Sequence, residues 1–287
     1  MKKVGFIGLG IMGKSMVRNL MKAEFELHIF SRTKEKAKDV ISEGAIFHDS
    51  IRDCVKGCEA VITIVGYPKD VEEVYFHKNN ILDSAKPGAF LIDMTTSSPK
   101  LADKIYRFGK EKGYRVLDAP VTGGDTGARA GTLSILAGGD IEDYEACMPL
   151  FKAMGANINY QGKGGCGQHA KLANQIIIAG TLSGVCEALV YAAAKGLNLQ
   201  TFINSISMGA AGSKQLDSLA PKILAGDYAP GFFIKHFIKD MKLAVEEAEE
   251  CGLYLEILNQ ALTNYKKLEE EGYGDLGTQA LIKHYEN

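Results

Sequence analysis

The feature that constrains this chain most is a change of hydrophobic period near residue 163. Before it, short apolar runs alternate with amphipathic stretches. VGFIG (4–8), LHIF (27–30), AVITIV (60–65), AFLIDM (89–94), RVLDA (115–119), LSILAG (133–138) and INYQ (158–161) read as strands. Between them, MGKSMVRNLMKA, KEKAKDVISEG, PKLADKIYRFGKEKG and IEDYEACMPLFKAMG have helical spacing, and most end in a glycine suited to a helix C-cap. Strands and helices alternating in this way predict a parallel, doubly wound sheet. After Gly165 the strand signals stop, and the spacing predicts helices over 167–195, 198–208, 214–225, 235–251, 255–271 and 278–285. The reading is therefore α/β: a sheet domain over 1–163 and an all-α domain over 164–287, joined by a long interdomain helix.

The first strand runs into GLGIMG, a G-x-G-x-x-G that opens the first helix. In that context Gly8 permits the tight turn, Gly10 lets the backbone approach a pyrophosphate, and Gly13 lets helix and strand pack closely. Residues Gly8, Leu9, Gly10, Ile11, Met12 and Gly13 are thus the expected dinucleotide-phosphate turn of a Rossmann-like domain, with the phosphates at the positive end of the helix. At the end of the second strand, where an NAD site places an acid for the ribose 2′-hydroxyl, the chain reads Ser31-Arg32-Thr33 with Lys36 nearby. A carboxylate there would repel a 2′-phosphate, whereas a guanidinium and two hydroxyls can bind one, so NADP is expected ahead of NAD.

Two further segments carry chemistry. Thr122, Gly123 and Gly124 follow a strand end, where a hydroxyl and successive glycine amides suit a carboxylate. On the long helix Lys171, Asn174 and Gln175 stand at i, i+3 and i+4, on one face, ahead of an uncharged run from Leu172 to Cys186. Such groups need partners: either a ligand or a hydrogen-bond network between helices. Lys239 and Asp240 lie in another amphipathic helix, and taken alone read as a solvated pair. His169 reads as structural.

A net charge of −2 supplies no electrostatic reason for a nucleic-acid or anionic-membrane partner. The lysine-bearing apolar start resembles an export signal, but Lys14 and Arg18 follow at once and no small-residue cleavage site appears. The uncharged run after Lys171 carries Asn, Gln, Thr and Ser and is short for a bilayer. Six scattered cysteines lack the companions of a zinc set and read as free thiols of a cytoplasmic protein, with no metal expected.

In order and spacing, GFIGLGIMG, DMTTSSP, DAPVTGGDTGARAGTL, GKGGCGQHAKLANQ and IKDMKLA resemble the signature segments of the β-hydroxyacid dehydrogenase family, over essentially the whole chain. The family includes 3-hydroxyisobutyrate dehydrogenase, tartronate semialdehyde (2-hydroxy-3-oxopropionate) reductase, glyoxylate/succinic semialdehyde reductase and, more distantly, 6-phosphogluconate dehydrogenase. The resemblance implies hydride transfer between a nicotinamide and a small semialdehyde or hydroxy acid. It makes Lys171 the catalytic lysine, Thr122, Gly123 and Gly124 the carboxylate loop, and Thr96 a neighbour of the nicotinamide. Lys239 and Asp240 become the pair that closes the site, with Lys239 also toward the cofactor, and Phe232 or Phe233 lines it. Dimers or tetramers are implied too. Two departures stand out: Thr at 122, where Ser is usual, and Gln at 175, where many members have Asn. KLANQ is similar to tartronate semialdehyde reductases, whereas Ser31-Arg32-Thr33 is similar to the glyoxylate/succinic semialdehyde branch, so the substrate stays open. The alternatives are a non-catalytic dinucleotide-binding regulator and an imine reductase.

A hydride added to a carbonyl leaves negative charge on its oxygen, which a nearby ammonium can stabilise and protonate. Lys171 is the expected general acid in reduction and base in oxidation. A lysine at its ordinary pKa is a poor base at neutral pH, so burial is expected around it.

Overall fold

The computed structural model describes residues 1–286. It divides into two compact units, one from Met1 to Lys171 and one from Leu172 onward, so the division falls inside the long helix.

The first unit runs β1 (Lys3–Ile7), α1 (Ile11–Lys22), β2 (Glu26–Phe30), a 3-10 turn, α2 (Lys38–Ser42), β3 (Ile46–Phe47), α3 (Ile51–Val55) and β4 (Ala60–Thr63). It continues with α4 (Pro68–Phe76), α5 (Ile81–Ser84), β5 (Phe90–Asp93), α6 (Pro99–Glu111), β6 (Arg115–Asp118), β7 (Val121–Thr122) and α7 (Gly124–Ala130). It closes with β8 (Leu133–Gly139), α8 (Ile141–Ala146), α9 (Met148–Met154), β9 (Gly155–Gly162) and the start of α10 (Cys166–Ala194). All seven strands expected from the sequence form. The apolar start of the chain is β1, between β2 and β4 in the sheet order β3-β2-β1-β4-β5-β6-β8-β7, with β9 beside β8.

Period-two alternation sends successive residues to opposite faces. Val4, Phe6, Ile62, Ile92 and Leu117 join one core with Met16, Val17 and Leu20 of α1. Ile7, Val61, Leu91 and Val116 join another with Val71, Tyr75 and Ile105 of α4 and α6. The sheet is thus covered on both sides, as doubly wound sheets are. It is parallel from β3 to β6. Beyond β6 it is mixed, because β8 pairs antiparallel with β6 and β7. The stretch between β6 and β8 holds β7 and the short α7, and β8 turns back to pair antiparallel with β7.

The second unit is helical: the rest of α10, then α11 (Leu199–Ile206), α12 (Lys214–Leu224), α13 (Ile234–Glu250), α14 (Glu256–Glu270), a 3-10 turn and α15 (Ile282–Tyr285). On α13 the buried Ile234, Phe237, Ile238, Met241 and Ala244 recur at helical spacing and pack with Leu182 of α10 and Leu262 and Tyr265 of α14. The helix α10 is as long as the span 167–195 expected from the sequence. At 29 residues it is long and apolar enough to cross a membrane by length and composition. Its Leu172, Ala179, Leu182, Cys186 and Leu189 are nonetheless core residues of the helical unit.

Candidate active site

The first unit gathers its sequence-predicted residues along one edge of the sheet. Gly8 follows β1, Ser31 follows β2, Thr96 follows β5 and Thr122 lies beyond β6, all at carboxyl ends of parallel strands. Strand order reverses at β1 and β4, which connect outward in opposite directions, and ligands of open α/β sheets bind at such a switch point.

The three glycines of the first turn differ in what they permit. Gly8 has φ 104°, and a Cβ there would sit 2.0 Å from the Ile64 carbonyl oxygen. At Gly13 a Cβ would lie 1.9 Å from the Gly8 carbonyl oxygen, so α1 and the turn touch through backbone alone. At Gly10 a Cβ would meet no atom within 4 Å. The protein's own packing therefore does not require glycine at 10, and the open space beside the start of α1 fits a ligand that comes up to the backbone. Leu9 is buried in the core, whereas Ile11 is 46% exposed. The donors and the room suit a dinucleotide pyrophosphate.

Arg32 is exposed at the end of β2, with one Nη2 3.1 Å from Oδ1 of the nearly buried Asp70. The other Asp70 oxygen accepts the Tyr67 N–H at 3.0 Å and caps α4. Arg32 thus borders a surface hollow shared with Lys69, Phe76 and His77. Ser31 is half-buried and Thr33 exposed.

The segment after β5 is fixed from below. The Thr63 hydroxyl donates to Asp93 Oδ1 at 2.8 Å, the Thr95 N–H donates to the same oxygen at 3.2 Å, and the Val65 N–H donates to the Thr95 hydroxyl at 3.0 Å. Thr96 is half-buried within this braced segment. In the loop beyond β6, Thr122 is half-buried while Gly123 (φ 130°) and Gly124 (φ 65°) are exposed at the start of α7.

Lys171 is 6% exposed, which agrees with the burial expected around it. Its helix begins against the sheet. Asp118, at the end of β6, accepts the N–H groups of Gly165 (2.7 Å) and Gln168 (2.8 Å). Burial pushes this carboxyl up to about 7, against the lowering effect of those two amides. Asp118 and Gln168 escaped the sequence reading. The usable signal was the pair FLID and RVLD, two strands each ending in Asp, with Asp93 and Asp118 in register.

In the helical unit the expected residues form a chain. The Asn174 amide donates to Gln175 Oε1 at 2.8 Å, Gln175 Nε2 donates to Asp240 Oδ2 at 2.7 Å, and Asp240 Oδ1 lies 2.8 Å from Lys239 Nζ. Gln175 and Asp240 are each 1% exposed. The solvated reading of Lys239 and Asp240 is therefore overturned: Asp240 is buried and Lys239 half-buried, because α13 turns them toward the same interior as Gln175. Both ends of the Gln175 amide are engaged by Asn174 and Asp240, which is the helix-to-helix network rather than a free donor. Phe232 packs on Phe237 at a ring separation of 5.6 Å, and Phe233 stands beside His236.

Among the described residues no group of three or more His, Cys, Asp or Glu could hold a metal ion. Cys54 and Cys58 are free and buried, and burial raises both thiols, Cys58 to about 11.

Comparison with known proteins matches residues 3–162 to the NAD binding domain of 6-phosphogluconate dehydrogenase. Residues 165–285 match the NAD-binding family of NADP-dependent 3-hydroxyisobutyrate dehydrogenase. An uncharacterized oxidoreductase of Bacillus subtilis, YkwC, is 51% identical over 98% of each chain. A probable 3-hydroxyisobutyrate dehydrogenase-like protein of Arabidopsis thaliana is 45% identical over 98% of this chain and 84% of its own. The Mycobacterium tuberculosis 3-hydroxyisobutyrate dehydrogenase solved with L-serine superposes over 100% of both chains with TM-score 0.90 and 28% identity.

Proposed function

Because the chain belongs to the β-hydroxyacid dehydrogenase family and is an NAD(P)-dependent oxidoreductase, we propose that it interconverts a small semialdehyde acid and its hydroxy acid, with NADPH preferred over NADH and Lys171 as proton donor. The candidates are tartronate semialdehyde, the 3-hydroxyisobutyrate pair, glyoxylate and succinic semialdehyde. The observation that carries this reading is a nearly buried amine within two turns of the start of a helix whose first turn is bonded to the carboxyl edge of the cofactor-type sheet.

Bound reduced nicotinamide supplies the hydride. The Lys171 ammonium neutralises the charge that grows on the substrate oxygen and passes its proton there; in oxidation the neutral amine takes that proton back. Asn174, three residues further along the same helix, orients that oxygen, and Gln175 and Asp240 hold the Asn174 amide in one rotamer. The Thr122 hydroxyl and the Gly123 and Gly124 amides bind the substrate carboxylate, which turns a loose encounter into a reactive alignment. Gly8 to Gly13 and the start of α1 hold the pyrophosphate. Arg32, steadied by Asp70, with Ser31 and Thr33, takes the 2′-phosphate.

Self-association accompanies this reading. Ile177 (69% exposed), Tyr191 (65%) and Ile257 (68%) give the helical unit apolar surface of the kind homo-oligomers cover. The free cysteines support a reducing compartment such as the cytoplasm. The test is NADPH and NADH oxidation with a panel of the four carbonyl substrates. Turnover of at least one of them, faster with NADPH, is expected; no turnover of any with either cofactor would refute the activity.

A further inference from the structure

We infer that Gln168 and Asp118 are a clamp that positions Lys171, by fixing the first turn of α10 to the ends of β5 and β6. The inference rests on the reading of Lys171 as proton donor and goes beyond it, because neither residue touches the reacting atoms.

Gln168 is fully buried. Its Oε1 accepts the Ser97 N–H at 2.9 Å, and its Nε2 donates to the Thr95 carbonyl at 2.7 Å. Its own N–H is held by Asp118 at 2.8 Å, and the other Asp118 oxygen holds the Gly165 N–H at 2.7 Å. Each side chain is thus bonded to main chain at both ends. One grips the segment that carries Thr96, and the other reaches the helix from the strand that leads to Thr122. Three elements with separate tasks, namely the nicotinamide neighbour, the carboxylate loop and the proton donor, meet at this pair of side chains.

The seating is close enough to exclude side chains. A Cβ on Gly167 would fall 2.4 Å from the Leu136 carbonyl oxygen and 2.6 Å from that of Asp118. On Gly138 a Cβ would fall 2.7 Å from both Asp118 Oδ1 and the Gly167 nitrogen. This explains Gly167 of GKGGCGQ, which allows the helix to approach the sheet at backbone distance. Lys171 lies at i+3 from Gln168, on the same face one turn on. A displacement of the first turn is therefore carried to the amine almost undiminished. A misplacement of about 1 Å at a reacting group costs on the order of a hundredfold in rate.

The experiment uses the full-length protein and compares Gln168→Met, of similar length but without hydrogen bonds, with Asp118→Asn, which keeps one acceptor oxygen. Readouts are kcat per NADPH-binding site, NADPH affinity, and the solvent deuterium isotope effect on kcat. In Gln168→Met, kcat is expected to fall about ten- to hundredfold, NADPH affinity to stay within about twofold, and the isotope effect to rise as proton transfer becomes rate-limiting. Asp118→Asn should show the same signature more weakly. Wild-type kcat and isotope effect in a folded, NADPH-binding Gln168→Met protein would overturn the clamp. Loss of folding in both variants would overturn it too, by making the pair a purely structural support. Lys171→Met separates the two ideas: if it is inactive while Gln168→Met is fully active, only the clamp fails, and if it is active, the underlying reading fails.

Discussion

In the sheet unit the groups that matter are held by main chain: Asp118 and Gln168 bond to backbone amides and a carbonyl, and Gly8 and Gly13 let backbone meet backbone. In the helical unit they hold one another, from Asn174 through Gln175 and Asp240 to Lys239, side chain to side chain. The difference lies in what each fold offers. Strand ends and a helix start expose unpaired amides and carbonyls in fixed places, whereas the middle of a helix has used its own, so polar side chains there must satisfy each other. Backbone-held sites should therefore fail through geometry, and side-chain-held sites through loss of a charge or hydrogen-bond partner.

The largest expected effect is at the first turn. Gly13→Ala drives a methyl into the Gly8 carbonyl and should abolish NADPH binding together with a large loss of thermal stability. Gly10→Ala, whose Cβ meets open space, should leave the melting temperature nearly unchanged yet weaken NADPH at least about tenfold, or about 1.4 kcal/mol. Equal effects of the two on stability and binding would erase the distinction between a glycine needed for packing and one needed for a ligand.

On the side-chain-held side, Asp240→Ala leaves Lys239 and Gln175 without their shared buried acceptor. Thermal or urea unfolding should show a cost of about 3 kcal/mol, in the range for breaking a buried ion pair. A change within about 0.5 kcal/mol, the usual figure for surface positions, would mean that the chain of four does not act as a unit.

Asp118 gives a pH signature. Its carboxyl sits near 7 in the folded protein, raised by burial, against 3.8 for an ordinary aspartate. Between those values the folded state keeps a proton that the unfolded chain has released, so this group's contribution to stability is full at low pH and is lost as pH rises toward 7. Its slope approaches about 1.4 kcal/mol per pH unit. Unfolding curves of wild type and Asp118→Asn over this window should differ by that slope; parallel pH dependence would show an unperturbed carboxyl.

The smallest shift is expected at Arg32, a largely exposed side chain. Arg32→Asp should lower the NADPH-to-NADH preference, read as a ratio of kcat/KM, by about tenfold, and an unchanged ratio would show that another group reads the ribose.

Much of this was legible in the residues. The seven strands and the helices after Gly165 follow from period and punctuation, and the glycine turn from its place between strand and helix. Nothing in a one-dimensional pattern, however, separates a Lys239–Asp240 pair with a buried carboxylate from a solvated one, because burial depends on which helix packs over it. Gln168 was hidden for the same reason. Its partners Thr95 and Ser97 lie some seventy residues away in sequence, and a glutamine that bonds only to main chain leaves no motif of its own. The antiparallel return of β8 was likewise invisible, since it depends on pairing with the two-residue β7, too short to show a period.

The most direct test of the account is a comparison of wild type and Lys171→Met on the best carbonyl substrate of the panel, with kcat measured beside NADPH affinity. In Lys171→Met, kcat should drop by at least about a hundredfold while NADPH binds within about twofold of wild type. A variant that turns over at the wild-type rate would contradict it.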